Sequence, residues 1–400
     1  MLAAILIGAA VIPGRASSQQ TQHCAGPRCR AAGSILWTAS LPGSWLAEPG
    51  VTGTVPSAAA AYAATGDGLA VLGAGLKVTA LQASTGRRVW QTVLSGLPAG
   101  AEIAGVRVLG QEVAVGVQPP AGQAPERDEV ILSASTGNPV QVYPAAAYGG
   151  AIAANATSTV IVGPDAVTAY LNSTGRVLWS RGTGSPGQAW QVSGQYVYIA
   201  ETGSAGTLAV RQISLSNGSE RVLLPQGHSM FAGTLSAAVD GVLLFSDSDG
   251  VAAYSSQTGG LVWQRQADVL ELTDPARSTA YLASGGTLIG VDVTSRTVLS
   301  RASLSVADSL YWVANGVALG LDQDALGDAW GYDLQTRRVI WTSAALPWPH
   351  FFADLSGLGG SASPGGHIVL LATCARVGAA GAAPGSPQPC LRPELAAVLT

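Results

Sequence analysis

A turn followed four residues later by tryptophan recurs along this chain, and that spacing constrains the fold more than any other feature. Thr85-Gly86 precedes Trp90, Thr174-Gly175 precedes Trp179, and Thr258-Gly259 precedes Trp263. Thr336-Arg337 precedes Trp341 with the glycine replaced, and Gly33 stands at the same offset from Trp37. Weaker copies are Thr136-Gly137 before Val140, Asn217-Gly218 before Val222 and Ser295-Arg296 before Val298. Around the best copy, residues 76–83 alternate large apolar with smaller or polar side chains, the period-2 signal of a strand with two unlike faces. Ser84-Thr85-Gly86 is turn chemistry, because glycine accepts positive φ and the hydroxyls can bond nearby backbone groups. Residues 87–90 return as the partner strand. The turn positions 33, 86, 137, 175, 218, 259, 296 and 337 step by 53, 51, 38, 43, 41, 37 and 41 residues. A period of about 40 residues, with strand signals and a tryptophan in each unit, predicts a β-propeller of four-stranded antiparallel blades.

Both ends of the chain fit a ring. Three strand-like runs follow position 337: residues 350–355, 367–374 and 394–400. The last, ELAAVLT, matches the strand before the turn and stops where the turn is due. Residues 34–38 match the strand after the turn. Pairing the two termini would complete one blade and remove two exposed sheet edges. The expectation is therefore an all-β, eight-bladed propeller over residues 33–400, closed by the N-terminal strand on the C-terminal blade, with seven blades as the rival count.

Three connections are long: residues 39–56, 118–128 and 375–389. In a propeller they open on one face, and they come from neighbouring blades. Function tends to sit on loops held by a rigid scaffold. Trp45, Pro119, Pro120, Arg127 and Pro384 are the candidate partner-contacting residues of this sector.

Charged residues make up 11% of the chain and net charge is −4. There is no Lys/Arg cluster, so no nucleic-acid footprint is present. Residues 1–12 form an apolar run too short to span a bilayer and of the right size for a signal-peptide core, so residues 1–32 read as a signal peptide or membrane-anchor remnant plus linker. An extracytoplasmic chain, secreted or membrane-tethered, is expected. Four cysteines allow three connectivities. Cys374 is expected to end one strand of the last blade and Cys390 to precede the next, which favours Cys374–Cys390 together with Cys24–Cys29. Paired cysteines agree with export.

Several motifs read as structure rather than chemistry. Asp247-Ser248-Asp249-Gly250 opens like a calcium loop but lacks the closing glutamate and falls where a hairpin belongs. Asp322, Asp324 and Asp328 surround another such turn. Gly73-Ala74-Gly75 is a strand-to-strand turn with no helix after it to bind phosphate. His23, His228, His350 and His367 are scattered. Residues 348–352 (WPHFF) read as aromatic burial at the last blade. Asn172-Ser173-Thr174 and Asn217-Gly218-Ser219 match a glycosylation sequon but are repeat turns.

VTALQASTGRRVW, VTAYLNSTGRVLW and VAAYSSQTGGLVW resemble the repeat of the pyrroloquinoline-quinone-type propellers, in which a strand and Ala-Leu-Asp precede Thr-Gly and tryptophan. The resemblance covers residues 33–400. It implies eight blades, with the tryptophan packed between blades, so Trp37, Trp90, Trp179, Trp263 and Trp341 become structural staples. Large side chains at one repeat position would bury area between adjacent sheets in the same way. The family has two branches: quinone- and calcium-dependent dehydrogenases, and non-catalytic BamB-like scaffolds that bind protein partners at the cell envelope. The first often covers its quinone with a disulfide between adjacent cysteines, which this chain lacks. The aspartate of the family pattern survives only at Asp292 and Asp333. The chain therefore reads as a non-enzymatic, monomeric scaffold without cofactor or metal, engaging a protein or envelope polymer. The alternatives are the dehydrogenase and the sensor domain of a longer membrane protein.

Overall fold

A computed structural model describes residues 35–40, 45–47, 61–342 with breaks at 67, 121–126, 146–149, 155–156, 164, 183–188, 203–207, 225–233, 248–249, 267, 285–286, 304–307, 315 and 323–328, then 368–377 and 388–399. All of them belong to the unit Ala32–Thr400.

Two short strands come first, β1 (Ile35–Ser40) and β2 (Trp45–Ala47). Seven antiparallel four-stranded sheets follow, each made of four consecutive strands. The first holds β3 (Ala61–Gly66), β4 (Leu69–Ala74), β5 (Lys77–Gln82) and β6 (Arg88–Val93). The second holds β7 (Glu102–Leu109), β8 (Glu112–Gln118), β9 (Arg127–Ser133) and β10 (Pro139–Ala145). The third holds β11 (Gly150–Ala154), β12 (Ser158–Val162), β13 (Ala166–Leu171) and β14 (Arg176–Gly182). The fourth holds β15 (Ala189–Ser193), β16 (Tyr196–Thr202), β17 (Leu208–Ser214) and β18 (Glu220–Leu224). The fifth holds β19 (Thr234–Val239), β20 (Val242–Asp247), β21 (Gly250–Ser255) and β22 (Leu261–Gln266). The sixth holds β23 (Val269–Asp274), β24 (Thr279–Ser284), β25 (Thr287–Asp292) and β26 (Val298–Ser303). The seventh holds β27 (Asp308–Ala314), β28 (Val317–Asp322), β29 (Ala329–Asp333) and β30 (Arg338–Thr342). The last sheet joins the two ends of the chain: β32 (Gln388–Leu399) pairs with β31 (Ile368–Val377), β1 and β2.

The termini meet in the register the repeat requires, with Trp37 opposite Ala397, Thr38 opposite Ala396 and Ala39 opposite Leu395. Two features of this sheet differ from the sequence expectation. Its fourth strand among the described residues is β2, with Trp45 opposite Cys390. β2 lies along the same edge of β32 as β1 and continues its line, whereas residues 350–355, expected beyond β31, lie outside the described residues. β31 and β32 are also longer than expected, running to Val377 and starting at Gln388, so both ends of the 375–389 loop are strand. Alternation alone does not mark where pairing stops, because side-chain context decides strand pairing more than residue type does.

Burial is graded within each sheet. Second strands are buried on both faces and read as near-continuous apolar runs, as in β8, where only Gln118 is not buried. The fourth strands β6, β14 and β22 are each buried at a single residue, Trp90, Trp179 and Trp263. The cause is a bulge that composition does not announce. Ala80 faces Trp90 and Leu81 faces Arg88, leaving Val89 unpaired. Leu178, Val262 and Ile340 are skipped in the same way. A bulge bends and twists its strand, which discourages edge-to-edge pairing of these outermost strands and re-aims the next side chain.

Candidate functional site

Every sheet presents two unlike rims. At one rim the first–second and third–fourth strand hairpins turn, and at the other lie the second–third connections and the crossings from sheet to sheet.

The hairpin rim is consumed by structure. All the turn positions read from the sequence between 86 and 337 have positive φ, from Gly86 at 69° to the two arginines that replace glycine, Arg296 and Arg337, both at 60°. Each donates its N–H to the carbonyl four residues back, for example Gly86 to Gln82 and Arg337 to Asp333, both at 2.8 Å. The turn threonines accept an N–H two residues on, with Thr85, Thr136, Thr174 and Thr258 bonding Arg87, Asn138, Arg176 and Gly260. Asp292 and Asp333, the surviving aspartates of the repeat pattern, each accept two backbone N–H groups of their own turn through Oδ1. Burial alone would raise the Asp292 carboxyl, but the Thr294 hydroxyl and the turn N–H groups hold it below the usual carboxylate value.

Trp37, Trp90, Trp179 and Trp263 reach the next sheet rather than their own turns. The Trp37 indole N–H donates to Ala83 O at 2.7 Å, that of Trp90 to Ala134 O at 2.6 Å, and that of Trp263 to Val293 O at 2.7 Å. A Cβ on Gly86 would stand 2.6 Å from Trp37 Cγ, and one on Gly218 2.6 Å from Trp179 Cδ2. Turn glycine and tryptophan thus form a lock between neighbouring repeats: the indole lies where a side chain would be. Where valine replaces the tryptophan, Gly175 meets Gln141 instead. Trp179 is buried, and its Nε1 has no hydrogen-bond partner. Trp341 lies on β30 opposite Gly331.

Polar side chains fasten the same rim from sheet to sheet. Glu112 meets Thr159 and Asn172, Gln212 Nε2 donates to Ser256 O, Ser278 Oγ donates to Asp240 Oδ2, and the Gly316 N–H donates to Asp274 Oδ2. Asp274 is fully buried. Burial first, then the Asp274 carboxylate, raises the Tyr281 phenol, against a lowering by Arg277. Asn172, part of one sequon, spends its amide on Glu112, while Asn217 Oδ1 accepts the Ser219 N–H.

The opposite rim carries the residues singled out as partner-contacting. Pro119 and Pro120 follow β8 half-buried, and a Cβ on Gly100, in the crossing from the first sheet to the second, would lie 3.2 Å from Pro120 Cβ. The structure thus brings the second–third connection of the second sheet against the crossing that enters that sheet. Arg127 opens β9 opposite Ala145. Trp45 opens β2 across from the end of β32 that the 378–387 connection enters, much as Ala145 lies across from Arg127 in the second sheet. Pro384 lies outside the described residues. So do Cys24, Cys29, the four histidines and residues 348–352. Cys374 stands opposite Pro393, and Cys390 opposite Val377. Asp247 pairs with Gly250 across a two-residue hairpin connection, and Gly75 turns β4 into β5 at φ 57°. Among the described residues no three His, Cys, Asp or Glu side chains converge, and no helix is long and apolar enough to cross a membrane. The Glu112 cluster was missed by sequence reasoning. Its two signals were an acidic residue opening an apolar strand and an asparagine one place before a turn.

Comparison with known proteins fits this geometry. Residues 30–147 match the family model for outer membrane protein assembly factor BamB. No curated protein matches the chain. Among solved structures, a europium-containing methanol dehydrogenase is similar at 11% identity and TM-score 0.51, over 92% of this chain and 93% of that one. The dihydro-heme d1 dehydrogenase NirN is similar at 15% identity and TM-score 0.51, over 79% of this chain and 74% of that one. BamB from Moraxella catarrhalis is similar at 17% identity and TM-score 0.44, over 73% of this chain and 97% of that one. The chain is an all-β propeller with pyrroloquinoline-quinone- and BamB-like repeats.

Proposed function

We propose that this propeller is a non-catalytic binding scaffold of the cell envelope, engaging a protein or envelope polymer through the loops of one rim. It is read as eight blades closed by β1 on β32, extracytoplasmic and monomeric. The observation that carries the reading is the division between rims: one is locked turn by turn, while the other carries the long connections around Trp45, Pro119, Pro120 and Arg127. The match of residues 30–147 to an outer membrane assembly factor supports an envelope setting. Asp292 and Asp333, the surviving aspartates of the repeat pattern, each cap their own turn through Oδ1, which supports a structural role for them.

Removing residues 121–126 tests the reading. That deletion spares β8, β9 and the Pro120–Gly100 packing. The intact chain, with a photocrosslinker at Pro119, is expected to capture one envelope component that the deletion loses. Equal capture by both chains would refute the rim. The dehydrogenase reading has its own test: added pyrroloquinoline quinone and Ca²⁺ are expected to give neither a thermal shift nor dye reduction, and clear reduction would overturn the non-catalytic reading.

A further inference from the structure

The seam between the second and third sheets is apolar along most of its length, where Leu109, Ala114, Ile131, Ala151 and Ile161 pack together. At its hairpin rim stands Glu112, the first residue of β8, only 4% exposed. It meets two neutral side chains of the third sheet, both buried: Thr159 on β12, and Asn172 just past β13. The three close a ring. Asn172 Nδ2 lies 2.5 Å from Glu112 Oε1, Thr159 Oγ1 lies 3.0 Å from Glu112 Oε2, and Thr159 Oγ1 lies 2.8 Å from Asn172 Oδ1.

Each contact of that ring needs one proton between two heavy atoms. The threonine hydroxyl supplies one. The amide supplies one, whichever way it is turned, because only its nitrogen end can donate. An ionised carboxylate supplies none, so two protons would serve three contacts and one pair of acceptors would face each other out of water. Such a pair is left without a hydrogen bond and is unfavourable. A protonated Glu112 completes the ring: its O–H donates to Thr159 Oγ1, the Thr159 hydroxyl donates to Asn172 Oδ1, and the Asn172 amide donates to Glu112 Oε1.

We propose that Glu112 keeps its proton in the folded protein well above the pH at which an exposed glutamate loses it, and that this proton locks the second sheet to the third. The seam tightens as pH falls and loosens as it rises. Burial pushes the Glu112 carboxyl above its ordinary value, outweighing the Thr159 hydroxyl. The other ionisable groups described along the seam do not supply the missing proton. Tyr143 on β10 stacks on Tyr170 of β13 with ring centroids 4.3 Å apart. Its phenol is pushed up to about 12 by burial, then by Glu112 and Tyr170, so it keeps its proton, but its Oη makes no hydrogen bond and donates nothing to the ring. Arg107 and Glu129 gather around Gly150, where β11 begins, and Thr159 sits towards the other end of the β11–β12 pair, opposite Ala154.

A raised folded pKa adds stability that is complete below the unfolded value, about 4.3, and is lost as pH rises through the folded value. Glu112→Gln carries the third proton permanently, so its stability lacks this dependence. Thermal unfolding of the full chain and of E112Q, compared from about pH 4 to about pH 8, is expected to show near-equal midpoints at the acid end and a growing advantage for E112Q as pH rises. A difference that stays constant with pH overturns the proposal. Infrared spectroscopy of the wild-type chain gives a reading that needs no variant. A protonated carboxylic C=O band persisting at about pH 6 is expected, well above the unperturbed glutamate value, and a spectrum with every carboxyl ionised there overturns the proposal equally.

Discussion

Replacing Gly86 by alanine tests the lock between repeats and puts a magnitude on it. Gly86 has φ 69°, and its new Cβ would stand 2.6 Å from Trp37 Cγ, 2.8 Å from Cδ2 and 2.9 Å from Cβ. Gly68 is a matched control on the same rim of the same sheet, with φ 78° and nothing within 4 Å of its Cβ position. Gly68→Ala pays only the left-handed backbone cost, about 1 kcal/mol. Gly86→Ala adds overpacking against an indole pinned by its bond to Ala83 O, about 1–3 kcal/mol more. The excess is the quantity of interest, since the backbone term cancels between the two variants. Urea unfolding followed by tryptophan fluorescence measures it. In a Trp37→Ala background the clash has no partner, and the cost of Gly86→Ala is expected to fall to that of Gly68→Ala. Equal costs for the two glycines in the wild-type background, or an excess that survives removal of Trp37, would refute the inter-repeat lock.

Other consequences are open to measurement. Trp90→Phe leaves Ala134 O without its indole donor, whereas Trp179 Nε1 has no partner to lose, so Trp90→Phe is expected to cost about 1 kcal/mol more than Trp179→Phe by chemical unfolding. Arg337→Gly, at a φ of 60° that disfavours any side chain, is expected to leave stability unchanged or raise it by up to about 1 kcal/mol. Asp292 titrates below its ordinary value, so its contribution is present above the unfolded pKa and lost as pH falls through the folded one. The stability gap between wild type and Asp292→Ala should therefore close in acid, and a gap that is flat with pH would contradict this.

Much of this fold was legible because turns are written in chemistry. Thr-Gly and its Asn-Gly and Ser-Arg variants marked left-handed positions, including two where arginine takes the strained conformation. The strands followed from alternation on either side. What stayed illegible depends on relations between repeats. That the tryptophans staple neighbouring repeats was legible, but their partner was not: the bulge at Val89 or Leu178 aims the indole at the next repeat's turn glycine. A bulge is one extra residue in one strand, and no residue type declares it. β2 escaped because three residues in a Gly/Pro-rich stretch carry too little pattern to read as a strand. The rim residues Pro119, Pro120 and Arg127 were visible only as composition; the contact of Pro120 with Gly100 came from the fold. Glu112, Thr159 and Asn172 were invisible as a group, because residues 47 and 60 places apart meet only once two sheets stack.

The central claim is that one end of the chain completes the sheet built by the other. A photoactivatable side chain at Thr38, an exposed position opposite Ala396, tests it directly. Mass spectrometry of the irradiated monomer is expected to place the intramolecular cross-link on β32, within residues 394–398. Cross-links that fall on other segments, or that join only separate molecules, would contradict it.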